Sequence, residues 1–271
     1  MVKTHIISQP LVEGCAIDVG KGLYVASPEL CLLQMANELP YAKLIELGLE
    51  FCGDYALYTQ ENTGEIKNTF ANRDSFYQDI HNEDPDLYRD GFYYRNQLTN
   101  LKKLAAFVDR AVGMQGRPRM QSALNHINDG SYSPMETILT IMLTLPYKLG
   151  GYKLPMPVLN HRVDLSHSAR YNTSRSYLVC DLFWPDARVA VEYDSDRHHT
   201  GAERIASDAI RRNTLAAMGI QVITVTRRQL RDINEFEKVA RLLAAYLGKR
   251  LLHKRNNGFM QAQRQLRKQL L

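Results

Sequence analysis

The sequence predicts an α/β protein, and three observations predict it. Helical patterning dominates residues 27–53 and 96–145. Two apolar runs, YLVCDLFW (177–184) and VAVEYD (189–194), meet at the short turn PDAR and read as a β-hairpin. A helical stretch at 202–219 then leads into the apolar strand IQVITV (220–225) and an amphipathic helix at 233–248.

The elements follow in order. Residues 1–26 read as short strands broken by Gly and Pro. SPELCLLQMANEL (27–39) opens with Ser27 as N-cap and Pro28 at the first helical position. PYAKLIELGLEFCG (40–53) is a second helix ending near Gly53. Residues 54–95 are rich in Tyr, Asn and Asp without a clear period, and no structure is assigned to them. Helices follow at 96–113 and 117–130. SPMETILTIMLTL (133–145) carries Ser133, Pro134 and Glu136, the pattern of a capping box. After a strand-like region comes the hairpin. The helix at 202–219 stops at Gly219. The helix at 233–248 places Phe236, Val239, Leu243 and Leu247 on one face. The tail, 249–271, holds Lys249, Arg250, Lys254, Arg255, Arg264, Arg267 and Lys268 and no acid.

Composition narrows the class. The chain has 271 residues, 45% of them hydrophobic, enough for a real core. No secretory leader is expected from MVKTHIISQPLVEG, and no stretch approaches the roughly 20 apolar residues that span a bilayer. Cys15, Cys31, Cys52 and Cys180 show no CxxC spacing, so reduced thiols in a cytoplasm are expected rather than a zinc site. The net charge of +5 permits a nucleic-acid partner without demanding one.

The hairpin carries acids where apolar strands normally exclude them, at Asp181, Glu192 and Asp194. If Pro185 to Arg188 are the four turn residues, Asp181 lies opposite Glu192 on one face. Asp194, two residues on, points to that face as well. Like charges so placed repel, and a divalent cation relieves them; Mg²⁺ and Mn²⁺ favour oxygen ligands. An edge hairpin with a wet outer face accounts for the same acids. Downstream, His198 offers a proton shuttle or a surface histidine. Arg211 and Arg212 offer phosphate contacts or a solvated basic face. The tail can track a phosphate backbone or simply be solvated. Trp184 is expected in the core rather than stacked on a base.

The ordered set Asp181-x10-Glu192-x-Asp194-x3-His198, then Asp208-x2-Arg211-x3-Leu215-x3-Gly219-x2-Val222, resembles the PD-(D/E)XK nuclease superfamily. Within it, the resemblance is to the branch related to very-short-patch-repair (Vsr) endonucleases, with its E-x-D-G-x-x-H signature. It reaches back to Glu136 and covers residues 131–247. Ser195 replaces the branch's Gly, and Thr224 stands where many members place an Arg, with Arg227 and Arg228 nearby. The resemblance implies a restriction-endonuclease-like core, a central mixed sheet flanked by helices, over residues 131–248. It also implies a metal-dependent endonuclease using Mg²⁺ or Mn²⁺ on DNA, with RNA left open. Asp181 and Glu192 would be metal ligands, Asp194 would take the place of the superfamily's Lys, Glu136 would complete the acidic cluster, and His198 would match the branch's His. Host defence, repair or a mobile element are the roles in view.

Residues 1–130 form a mainly helical accessory region in this reading, faintly similar to AbiEi antitoxin-like proteins and a candidate for binding a protein partner. Residues 249–271 form a basic, partly helical tail. The alternative function is a catalytically inactive nucleic-acid-binding regulator on the same fold.

Overall fold

The computed structural model describes residues 11–57, 91–173, 175–194, 202–251 and 257–271. The first described elements are an exposed antiparallel hairpin, β1 (Ala16–Gly20) and β2 (Leu23–Ala26). Helix α1 (Pro28–Met35) begins as its sequence requires. The Ser27 hydroxyl accepts from Leu30 N–H at 3.2 Å, and Pro28 needs no acceptor for the donor it lacks. Helix α2 (Tyr41–Phe51) packs against it. The unassigned region contributes a short antiparallel pair at its two described ends, β3 (Tyr55–Leu57) and β4 (Phe92–Tyr94).

Helix α3 (Leu101–Arg110) is capped by the Asn100 side chain, and α4 (Arg117–Ala123) follows. Gly116 enters α4 at φ +84 with its Cα against the Leu33 carbonyl, a position that admits no side chain. The sequence predicts a helix to residue 130. Instead α4 ends at Ala123, and only one tight turn, Leu124–His126, continues it. The cause is local polarity. The Asn128 amide donates to the Pro157 carbonyl and Asp129 accepts from Leu101 N–H, so these side chains serve other segments.

The second half supplies the main sheet. Helix α5 (Pro134–Thr144) precedes β5 (Val158–Asp164), β6 (Tyr177–Trp184) and β7 (Val189–Asp194). Helix α6 (Ala202–Ala217) crosses over to β8 (Gln221–Thr226). The strand order is β5-β6-β7-β8; the first two pairings are antiparallel and the last parallel. The protein is therefore mixed α/β with a four-stranded mixed sheet.

Beyond it, Thr226 and Gln229 form a reciprocal capping box that starts the short helix α7 (Arg227–Arg231). Helix α8 (Ile233–Tyr246) buries Phe236, Val239 and Leu243, as its period requires.

The basic tail is not simply solvated. Helix α9 (Asn257–Leu270) docks through Phe259, Gln263, Leu266, Arg267 and Leu270, all buried. The buried Arg267 donates to the Leu230 and Arg231 carbonyls at the end of α7, so it serves as a helix cap.

One contiguous hydrophobic cluster joins α1, α2, α3 and α4 to α5, one face of the sheet, α8 and α9. A smaller cluster lies on the other face, where Leu215 of α6 meets Leu178, Cys180, Phe183 and Ala190. Among the described residues no helix is long and apolar enough to cross a membrane.

Candidate active site

The hairpin forms in the register its turn dictates. Arg188 N–H donates to the Pro185 carbonyl at 3.1 Å, closing a four-residue turn over Pro185, Asp186, Ala187 and Arg188. The paired residues are Trp184↔Val189, Phe183↔Ala190 and Leu182↔Val191. One more step along this register sets Asp181 opposite Glu192. The ladder stops there, and the Asp181 carboxylate itself accepts from Tyr193 N–H at 2.9 Å.

Asp181 lies where the sheet changes its alternation. Leu159, Leu182 and Trp184 belong to the large cluster, whereas Val163, Leu178 and Cys180 belong to the small one. Residues of one parity have thus changed sides between the two ends of β5 and β6. On β5 the slip falls at Asn160, which adopts φ +45 within the strand. The register of β5 and β6 carries Asn160 to the position beside Asp181. Asp181 consequently feels charge from helices on both faces of the sheet.

From one side comes Glu136, buried in the first turn of α5. It accepts from Tyr132 N–H at 2.9 Å, from the Ser133 hydroxyl at 2.8 Å and from the Asn160 amide at 2.5 Å. Ser133 also caps the helix by accepting from Glu136 N–H. The expected box is therefore shifted by one residue, since the Glu reaches back to Tyr132. From the other side, Arg211 of α6 forms an ion pair with Glu192 and also donates to the Val179 carbonyl.

The electrostatics follow from this packing. Burial, then Glu136 and Glu192, hold the Asp181 carboxyl well above the usual carboxylate range; Tyr193 N–H and Arg211 oppose them. Burial raises Glu136 too, against its three donors. Burial pulls Arg211 down, but Glu192, through charge and hydrogen bond, and Asp181 outweigh it and hold the guanidinium above its usual value. The Cys180 thiol is pushed up to about 12 by burial, with Glu192 and Asp181 adding to it.

Glu136, Asp181, Glu192 and Arg211 are thus brought together. Asp194 is half-buried two residues beyond Glu192 and pairs with Thr226 in the parallel ladder. Arg212 is exposed and its Nε donates back to the Asp208 carbonyl of its own helix. Lys249 and Arg250 are exposed just after α8. His198, Lys254 and Arg255 lie outside the described residues. Trp184 is buried, its indole N–H donating to the Pro155 carbonyl at 2.8 Å. Asn160 was missed by sequence reasoning; its signal is an Asn in the middle of the strand VLNHRVD, a residue that strands disfavour and the left-handed region tolerates.

Among the described residues no three His, Cys, Asp or Glu side chains surround one point closely enough to hold a metal ion. Arg211 stands in as the cation at Glu192. The donor chemistry nonetheless suits a hard divalent ion. Asp181, Glu192 and Glu136 present oxygen donors only, the type such an ion takes.

Comparison with models of known protein families, with curated proteins and with solved structures found no match to this chain.

Proposed function

We propose that this protein is a metal-dependent nuclease with a restriction-endonuclease-like core, hydrolysing phosphodiester bonds in DNA. One observation carries the reading. Carboxylates from a helix and two adjacent strands meet at one buried position, where burial, with Glu136 and Glu192 adding to it, holds Asp181 above its ordinary range. The element order supports it: a helix, three antiparallel strands, a crossover helix and a parallel fourth strand. This is the mixed sheet flanked by helices that the resemblance implies.

In this reading Asp181 and Glu192 would hold Mg²⁺ or Mn²⁺, with Glu136 completing the negative charge. The bound ion would supply an activated water and stabilise charge on the scissile phosphate. The chain's own residues prepare the site. Tyr193 N–H fixes one Asp181 oxygen, Ser133 and Asn160 fix Glu136, and Arg211 fixes Glu192. DNA is favoured over RNA through the resemblance alone.

A second reading rests on the Arg211–Glu192 pair. An acid already neutralised by an internal cation suits a nucleic-acid-binding regulator without turnover. The deciding experiment is cleavage of supercoiled and linear DNA with Mg²⁺, Mn²⁺ or EDTA, beside Asp181→Ala and Glu192→Ala. Metal-dependent cutting lost in both variants supports the nuclease. DNA binding without cutting, unchanged in both variants, supports the regulator.

A further inference from the structure

We propose that Arg211 is a built-in competitor of the metal: its guanidinium and a divalent cation occupy Glu192 in alternation. The inference rests on the nuclease reading and specifies how its site is loaded.

Three features carry it. First, Arg211 uses both Nε and Nη2 on the two Glu192 oxygens, a two-point grip that a cation ligating the same carboxylate has to displace. Second, the pair is sheltered, with the Glu192 side chain 15% and the Arg211 side chain 27% exposed, so water screens it little. Third, the same guanidinium holds the Val179 carbonyl on β6, which positions Arg211 over the hairpin even when Glu192 is given up. The guanidinium keeps its charge throughout; only its partner changes. Released from Glu192 beside a loaded site, it stands ready for an anionic oxygen of the substrate backbone.

The test is Mn²⁺ binding by the full chain, measured by the electron paramagnetic resonance signal of free Mn²⁺ and by the Mn²⁺-induced rise in Tm. Arg211→Gln removes the competing charge and leaves a shorter, uncharged polar side chain. It is expected to bind Mn²⁺ at least about tenfold more tightly than the wild type, equivalent to 1.4 kcal/mol. Arg211→Lys, which cannot grip both oxygens, should fall between the two and serves if the Gln variant does not fold. Glu192→Gln should abolish binding, alone and combined with Arg211→Gln. Arg110→Gln, an equal charge change on the exposed end of α3, should alter the affinity less than about twofold, well under the 1.4 kcal/mol of a decade. Equal or weaker binding by both Arg211 variants, with wild-type binding lost in Glu192→Gln, overturns the competition and leaves the nuclease reading standing. Tighter binding that survives Glu192→Gln also overturns it. Absence of Mn²⁺ binding in every variant overturns both.

Discussion

Glu136 has two candidate jobs, seating a helix and completing an acidic site, and two substitutions separate them. Tyr132 N–H and the Asn160 amide donate to Oε2, and the Ser133 hydroxyl donates to Oε1. In Glu136→Gln one oxygen remains for Tyr132 and Asn160, while the new NH₂ turns to Ser133, whose hydroxyl can reverse and accept. What is lost is the charge assistance of these bonds, about 1 kcal/mol net. Relief of the repulsion on Asp181 offsets part of that loss. Glu136→Ala instead strands the Tyr132 N–H and weakens the hold on Asn160, which keeps only the Gly130 carbonyl at 2.9 Å. Each stranded buried donor costs about 1–3 kcal/mol, so the alanine variant should lose about 4 kcal/mol. Equilibrium urea unfolding in EDTA measures both. At about 2–4 °C per kcal/mol, the two variants should differ in Tm by roughly 10 °C. An alanine variant within about 1 kcal/mol of wild type would refute the reasoning, because that is less than one stranded donor is worth. A stable Gln variant that fails to cleave DNA would assign Glu136 to the chemistry as well as to the helix.

Further outcomes are expected. The folded chain holds the Asp181 proton to higher pH than the unfolded chain does, so stability falls as pH rises through that range. Asp181→Asn removes this loss, and in EDTA its urea midpoint should exceed the wild type's by more at pH 8 than at pH 5; a constant gap would count against the buried cluster. Gly116→Ala must adopt φ +84 and place a methyl 2.4 Å from the Leu33 carbonyl oxygen, so a loss of about 3 kcal/mol is expected in the same assay. Cys180, pushed up to about 12, should resist a thiol-disulfide reagent at pH 8 in the native state, and rapid labelling mapped to it by mass spectrometry would contradict the burial described.

The hairpin was legible in the sequence because its determinants are local. A four-residue turn headed by Pro185 fixes the pairing, and the pairing brings Asp181 opposite Glu192. The caps at Ser27 and Ser133 were legible for the same reason. The Arg211–Glu192 pair was not, since it joins residues 19 apart through a crossover helix whose angle no local rule supplies. The docking of α9 was hidden by composition: Phe259, Leu266 and Leu270 are diluted by Gln and Arg, and the buried Arg267 reads as surface charge. The capping box at Thr226 and Gln229 was masked by the Arg227–Arg228 dipeptide that it encloses.

The seat of Glu136 reaches into the part of the chain to which the sequence assigns no task. Tyr55 donates to Thr137 in the first turns of α5, Asp54 N–H donates to the Ser131 carbonyl, and Gly130 N–H to the Cys52 carbonyl. Gly53 lies so close to Ser131 that an added Cβ would stand 2.6 Å from its carbonyl oxygen. A chimera joined at residue 130 would inherit the hairpin carboxylates but not the mould in which the third acid is cast. Exchanging one half alone would mean refitting every one of these stitches at once.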